Sequence, residues 1–365
     1  MSNVARFFVG VDLHKTVIQI CVLDQQGQTV DERRYQAGDL VAGLKVVGSL
    51  MQYREHGRIA VEAIGVNRWF VNSLLEHGFD VVVCDPTKLN LKMLGRKTDR
   101  RDALEIARRL LLGDIDRNAV TYYPSDEEYG KRKVIRSRHK LIQMRQGVAN
   151  QLRSLLNAYK ITGFGDSLTT TKAIRKLWHL EWPTEELTAV GQAWVMTLVH
   201  LGEAIAHLDH QLEEMAQDVR VSGLRRHLPS VGPVTASVLV YELGDVTRFA
   251  HSRSVACYAG LVPRVNQSAD TAHHGRLTKR GNRELRYVLG EWAIRLLSYD
   301  DRVARWAKPR LQRSHKNKVR MALARRLLIG VYKMLRTGES FSMERCLGMI
   351  LPGKNGHAVK HISPT

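Results

Sequence analysis

Apolar and polar positions alternate along the first 35 residues. Phe7-Phe8-Val9-Gly10-Val11 runs into Asp12, and the period-two pattern predicts strands at 7 to 12 and 16 to 23, a turn at Gln25-Gln26-Gly27-Gln28 and a strand at 29 to 35. A helical period follows from about 39 to 55. Strand 58 to 63, a helix from about 66 to 77 and strand 79 to 84 complete the block. Ala103, Leu104, Ile106, Ala107, Leu110 and Leu111 then recur at helical spacing behind Asp99 and Asp102. Further on, Val134 to Leu156 reads as a long helix interleaved with Arg136, Arg138, Lys140, Arg145 and Arg153, and Ala189 to Met215 as a second amphipathic helix. Those two stripes predict an antiparallel helical hairpin or coiled-coil arm.

The order of strands and helices in the N-terminal block is that of the ribonuclease-H fold. Its acids stand where such a fold gathers them: Asp12 and Glu62 end apolar runs, while Asp99 and Asp102, three apart, share one helix face. Together they could hold two magnesium ions, which clamp the attacking and leaving oxygens of a phosphoryl transfer. Each acid alone also fits a plainer role, with Asp99 as a helix N-cap, Asp102 in the first turn beside the helix dipole, and Asp12 as an ordinary strand-end residue.

Charge divides the chain of 365 residues, whose net charge is +20. Residues 1 to 95 balance 10 basic against 10 acidic side chains, whereas 223 to 365 carry 26 basic against 9 acidic, a net +17. Residues 131 to 176 are basic and 181 to 218 acidic. Such basic surfaces attract nucleic acid. The length predicts two or three domains: 1–125 catalytic, 126–222 the helical arm, and 223–365 a basic, mainly helical C-terminal domain. No apolar run reaches the roughly 18 residues of a membrane span. Cys21, Cys84, Cys257 and Cys346 lack paired metal spacing, which argues against zinc and for reduced core thiols in a cytoplasmic protein.

Leu228-Pro229-Ser230-Val231-Gly232-Pro233 has the form of a helix-hairpin-helix turn, in which Gly232 permits close backbone approach to a phosphate. A Pro/Gly turn ahead of a helix is also an ordinary connector. Gly260-Leu261-Val262-Pro263 leads to Gln267-Ser268, and a glycine- and base-rich loop, His274 to Arg283, precedes a helix from Leu285 to Leu297.

These motifs, together with Val11-Asp12-Leu13-His14-Lys15, Glu62, Lys97-Thr98-Asp99-Arg100-Arg101-Asp102-Ala103 and Lys279-Arg280-Gly281-Asn282, resemble the DEDD transposases of insertion-sequence family one-ten. That family is related to the Piv-type DNA invertases and includes recombinases guided by a bridge RNA. The resemblance spans roughly residues 6 to 300. It implies a RuvC-like N-terminal domain, a coiled-coil arm and a transposase domain. Asp12, Glu62, Asp99 and Asp102 would bind magnesium, and Ser268 would attack DNA to form a phosphoserine link. Arg264, Arg276, Lys279, Arg280, Arg283 and Arg286 become candidates to hold scissile-strand phosphates. The helix carrying Arg136, Arg138, Lys140, Arg145 and Arg153 becomes one to hold guide RNA or duplex backbone. The implied partners are donor and target double-stranded DNA, the guide RNA and further copies of the chain in a dimer or tetramer, with no membrane. Where the family usually has glycine after the serine, this chain has Ala269, which narrows backbone freedom in that loop. Two other functions fit the residues alone: a RuvC-like nuclease that uses metal-bound water, with Ser268 merely structural, and a non-catalytic nucleic-acid-binding protein.

Overall fold

The computed structural model describes residues 6–63, 65, 67–85, 87–88, 98–165, 167–268, 271–277 and 281–349, with side chains left out at Asn118, 264–268 and 271–277. The chain forms two compact units, Met1–Tyr123 and Pro124–Thr365.

The first unit is built on a mixed sheet. Its strands are β1 (Phe7–Leu13), β2 (Val17–Leu23) and β3 (Thr29–Gln36), followed after helix α1 (Leu40–Ser49) by β4 (Gly57–Glu62) and, after α2 (Arg68–Glu76), by β5 (Asp80–Cys84). Helix α3 (Asp99–Leu111) closes the unit's main elements. The 5-stranded order is β3-β2-β1-β4-β5, with β1, β2 and β3 antiparallel and β1, β4 and β5 parallel. The helix expected from 39 to 55 is shorter: Asp39 caps α1 by accepting from the Ala42 N–H, and the chain tightens into a 3-10 turn at Met51–Tyr53.

Residue parity sorts the two faces of the sheet. Val9, Val11 and Leu13 of β1 pack with Val46, Val47, Phe70 and Leu74 on the side of α1 and α2. Ala60, Val82 and Cys84 pack with Ile106 and Leu110 of α3 on the other. Gly10 is what lets α3 lie so close. A Cβ there would sit 2.1 Å from the Ala103 carbonyl oxygen and 2.5 Å from the Ala107 nitrogen. The absence of a side chain on the strand and the alanines on the helix allow backbone to meet backbone.

The second unit is helical apart from one hairpin. Its helices are α4 (Asp126–Ala158), α5 (Thr171–Trp178), α6 (Glu185–Met215), α7 (Val219–His227), α8 (Pro233–Leu243) and α9 (Ser252–Tyr258). After strands β6 (Pro263–Ser268) and β7 (Thr271–Leu277) come α10 (Arg283–Tyr299), α11 (Asp301–Leu311), α12 (Lys316–Thr337) and α13 (Met343–Leu347). Helices α4 and α6 run antiparallel: Leu152 and Leu156 pack with Val195 and Leu198 at one end, and Ile135 joins the cluster of Leu212 at the other. Leucine and valine stripes make that seam, as the periodicity expects.

Of the loop expected from His274 to Arg283, residues 274–277 instead belong to β7 of a hairpin in which Ser268 is paired to Thr271, and 278–280 lie outside the described residues. The hairpin's strands are polar, and their register shifts between Pro263 and Val265, so no clean alternation announces them. Cys21 and Cys84 are buried free thiols as expected, but Cys346 is only half-buried and Cys257 is exposed on the last turn of α9, so those two are not core residues.

Gly10→Ala forces a methyl group into the α3 backbone, and urea unfolding should show the first unit destabilised by about 3 kcal/mol or more. Unchanged stability would mean that α3 does not rest on Gly10.

Candidate metal centre and nucleic-acid contacts

Asp12 is one step beyond the last β1–β4 pair, Val11 with Val61, and Glu62 holds the matching place on β4. Both are at even positions of their strands, the parity of Gly10 and Ala60, and therefore on the face that α3 covers. Thr98 caps α3 by accepting from the Arg101 N–H, so Asp99 is not the cap but a first-turn residue, with Asp102 one turn on. The close contact at Gly10 and Ala103 then sets the first turn of α3 beside the end of β1. The sequence-predicted acids meet there.

Asp12 is only 2 % exposed and Asp102 is buried as well. Burial pushes the Asp12 carboxyl above the usual carboxylate range; the charges of Asp102 and Asp99 push it further, and His14 opposes them. His14 Nε2 lies 3.2 Å from Asp12 Oδ2 and 3.4 Å from Asp99 Oδ1, bridging the two carboxylates. One donor atom each from Asp12, His14 and Asp99 falls within 4.8 Å of the others, a grouping that could hold a metal ion. Glu62 and Asp102 adjoin the group by strand register and by charge rather than within that distance.

The donor set fits a hard divalent cation. Two carboxylates supply oxygens, a third carboxylate adds charge that a cation would neutralise, and the imidazole nitrogen is a ligand that the manganese and iron end of the series also accepts. His14 and Asp99 are 47% and 41% exposed, so the group opens to solvent on that side. The acids alone missed His14, although Asp-x-His across a strand end puts both side chains on one face.

Glu62 has two fixed neighbours. Asn67 Nδ2 donates to its carbonyl oxygen at 2.9 Å, and Cys84, opposite it on β5, has a thiol pushed up to about 12 by burial and then by the Glu62 and Asp85 charges.

The basic residues divide by what they touch. Arg136 grips the fully buried Glu242 with Nε and Nη2, each at 2.7 Å, and Arg138 pairs with Asp209 of α6. Those two guanidinium groups hold α4 to its own unit. Lys140 is exposed, and Arg145 and Arg153 are half-buried on the same helix. On α10, Arg283 is exposed, while Arg286 donates to the Ala259 carbonyl oxygen at 3.2 Å and is shifted down by burial and by the Arg283 charge. Gly232 precedes Pro233, the first residue of α8, and the space where its Cβ would lie is open to 4 Å. The turn before it is held by α10: Trp292 Nε1 donates to Pro229 O at 2.8 Å and Arg295 Nη1 to Ser230 O at 2.9 Å. Ser268 ends β6, but its side chain and those of Arg264 and Arg276 lie outside the described residues, as do Lys279 and Arg280 entirely.

The first unit is thus a mixed sheet with strand-end acids, and the second is helical and basic. Comparison with known proteins gives the family. Residues 9–161 match a DEDD transposase family model for IS110 elements, and residues 224–308 match the model described as transposase IS116/IS110/IS902 family. The chain is 25% identical over 354 residues to the transposase for insertion sequence element IS1111A of Coxiella burnetii, covering 91% of this chain and 90% of that one. It is 25% identical over 351 residues to the transposase for insertion sequence element IS1328 of Yersinia enterocolitica, covering 94% and 100%. A pilin gene-inverting protein of Moraxella lacunata is 29% identical over 150 residues, 39% of this chain and 46% of that protein. The chain belongs to the IS110/IS116 family of DEDD transposases. It is thus a transposase or recombinase acting on DNA. Among the described residues no helix is long and apolar enough to cross a membrane.

Asp12→Asn removes a buried, repelled carboxylate, so the metal-free protein at neutral pH should melt at the wild-type temperature or roughly 2–4 °C higher. Magnesium or manganese should raise the melting temperature of wild type and not of the variant. Equal stabilisation of both by metal would remove Asp12 from the site.

Proposed function

We propose that this chain is a magnesium-dependent DNA recombinase that cuts and rejoins strands through a covalent link to Ser268. The observation that carries the proposal is the meeting of Asp12, Asp99 and Asp102, with Glu62 on the adjacent strand, at one end of the sheet. The sheet order β3-β2-β1-β4-β5, antiparallel on one side of β1 and parallel on the other, supports a RuvC or ribonuclease-H-like catalytic domain over about residues 1–125. The antiparallel pair α4 and α6 supports a helical arm over 126–222, and the remaining basic helices with the β6–β7 hairpin a transposase domain over 223–365.

Asp12, Glu62, Asp99 and Asp102 would hold the ions, with His14 beside Asp12 and Asp99. Magnesium held there would supply Lewis acidity for the phosphoryl transfer. Ser268 contributes Oγ: a bond forms from Oγ to phosphorus as the Oγ proton departs, the phosphorus bond to the leaving sugar oxygen breaks, and that oxygen takes up a proton. The phosphodiester's free energy is kept in the phosphoserine. A hydroxyl of the new strand then attacks the same phosphorus, and Ser268 leaves with its proton restored, so rejoining needs no external energy source. Arg264, Arg276, Lys279, Arg280, Arg283 and Arg286 would steady the strand by its phosphates.

A bridge RNA as the source of target choice fits the exposed Lys140 and the basic stretch 131 to 176 on and beyond α4, because backbone contacts hold a guide without reading it. Donor and target duplexes, that RNA and a dimer or tetramer of the chain in the cytoplasm complete the proposal.

Ser268→Ala should lose both cleavage and recombination, and a suicide DNA substrate should trap wild type in a protease-sensitive adduct that maps to Ser268. An alanine variant that cuts at the normal rate, with no adduct in wild type, would make hydrolysis by a RuvC-like nuclease the better account. Protein purified from its own cells should carry a discrete RNA, identifiable by sequencing; a random RNA sample would contradict guidance.

A further inference from the structure

The β6–β7 hairpin rises from a stem fixed at both feet. On the way in, Gly260 has φ 66, Leu261 is buried, and the Leu261 N–H donates to Ala256 O at 2.9 Å. On the way out, Gly281 has φ 110 and lies so close to the end of α9 that a Cβ would be 2.5 Å from Tyr258 O and 3.0 Å from Cys257 O. Next to it, the Asn282 N–H donates to Tyr258 O at 2.6 Å. The two feet therefore share the last turn of α9.

Asn282 has a second attachment. Its Oδ1 accepts from the Leu285 N–H at 2.9 Å, capping α10, which turns Nδ2 toward Glu242 Oε2 at 2.6 Å. Glu242 is fully buried on α8, and its carboxylate also receives both nitrogens of Arg136 from α4. The Tyr258 hydroxyl donates to the Glu242 carbonyl oxygen at 3.1 Å, closing the ring of contacts around the stem. A buried ion pair gains little over an apolar pair of similar size, so its stability contribution does not account for it. What it does supply is a fixed acceptor for Asn282. Without Arg136, the buried carboxylate would lose two of the donors that fix its orientation.

We propose that Glu242 and Asn282 are positioning residues for the hairpin tip, with Arg136 fixing the orientation of the Glu242 carboxylate. The proposal rests on the reading of Ser268 as the nucleophile, which ends β6 at that tip. The six residues of β6 make a lever of roughly 16–20 Å. A tilt of a few degrees at the stem then moves the tip by about 1 Å, and a displacement of that size costs a positioned reaction on the order of 100-fold in rate.

The test uses the full-length chain. Asn282→Ser keeps an oxygen to cap α10 but loses the amide donor, and Asn282→Asp keeps the cap while setting a carboxylate against Glu242. Amide hydrogen exchange of 263–277 should become about 10-fold faster in both, with protection of α8 and α10 unchanged. In single-turnover reactions on a suicide substrate, the rate constant for adduct formation should fall on the order of 100-fold while the amplitude and the duplex affinity hold. Should either variant fail to fold, the double variant Arg136→Met with Glu242→Met removes the anchor and leaves no buried charge unpaired, and the same loss of rate and hairpin protection is expected. Unaltered hairpin exchange, or a loss confined to amplitude in proportion to the unfolded fraction, overturns the proposal. Absence of any adduct in wild type overturns the Ser268 reading instead, and hairpin exchange tests the anchor without it, so the two failures are distinguishable.

Discussion

The acid-bearing end of the first unit depends on the contact between the backbone of β1 at Gly10 and the backbone of α3 at Ala103 and Ala107. Acids on a strand and acids on a helix come within reach of one another when the two elements approach as closely as they do here. Glycine on the strand and alanine on the helix permit that approach. The Thr98 cap fixes where α3 begins, and Asp99 and Asp102 then occupy its first turn, where the helix dipole offsets part of their mutual repulsion. Asp12 has no such relief apart from His14, and burial disfavours its charge. The group is therefore arranged at an electrostatic cost that a divalent cation would remove.

A different balance governs the second unit. There a buried carboxylate, Glu242, is satisfied within the protein by Arg136 and Asn282, and no ion is needed. The contrast between the two buried acids is informative: Asp12 adjoins two other carboxylates, whereas Glu242 is met by a guanidinium and an amide. Carboxylates gathered around one imidazole could still take a cation, whereas the carboxylate matched by a guanidinium and an amide makes a joint.

Much of this was legible from the hydrophobic pattern, because strands β1, β2, β4 and β5 of the first unit are short apolar runs bounded by polar or glycine-containing breaks, and its core faces are rich in valine, isoleucine and leucine. The ends of β1 and β4 and the start of α3 could be read to within a residue or two, and with them the places of Asp12, Glu62, Asp99 and Asp102. Three features escaped. His14 is one residue past the end of β1, so a reading confined to the acids passed over it, although it shares Asp12's face and bridges Asp12 and Asp99. The β6–β7 hairpin is polar and bulged, so its strands look like a loop. Arg136 and Arg138 look like members of a basic stripe, yet their partners, Glu242 and Asp209, are 106 and 71 residues away, a pairing that only the tertiary structure discloses.

Manganese can stand in for magnesium at oxygen-rich sites and scatters X-rays anomalously, so soaked crystals report directly on whether the acids form a metal centre. The expected result is an anomalous peak roughly 2.0–2.3 Å from carboxylate oxygens of Asp12 and Asp99, lost in Asp12→Asn. No peak at the end of β1, or a peak that persists in the variant, would contradict it.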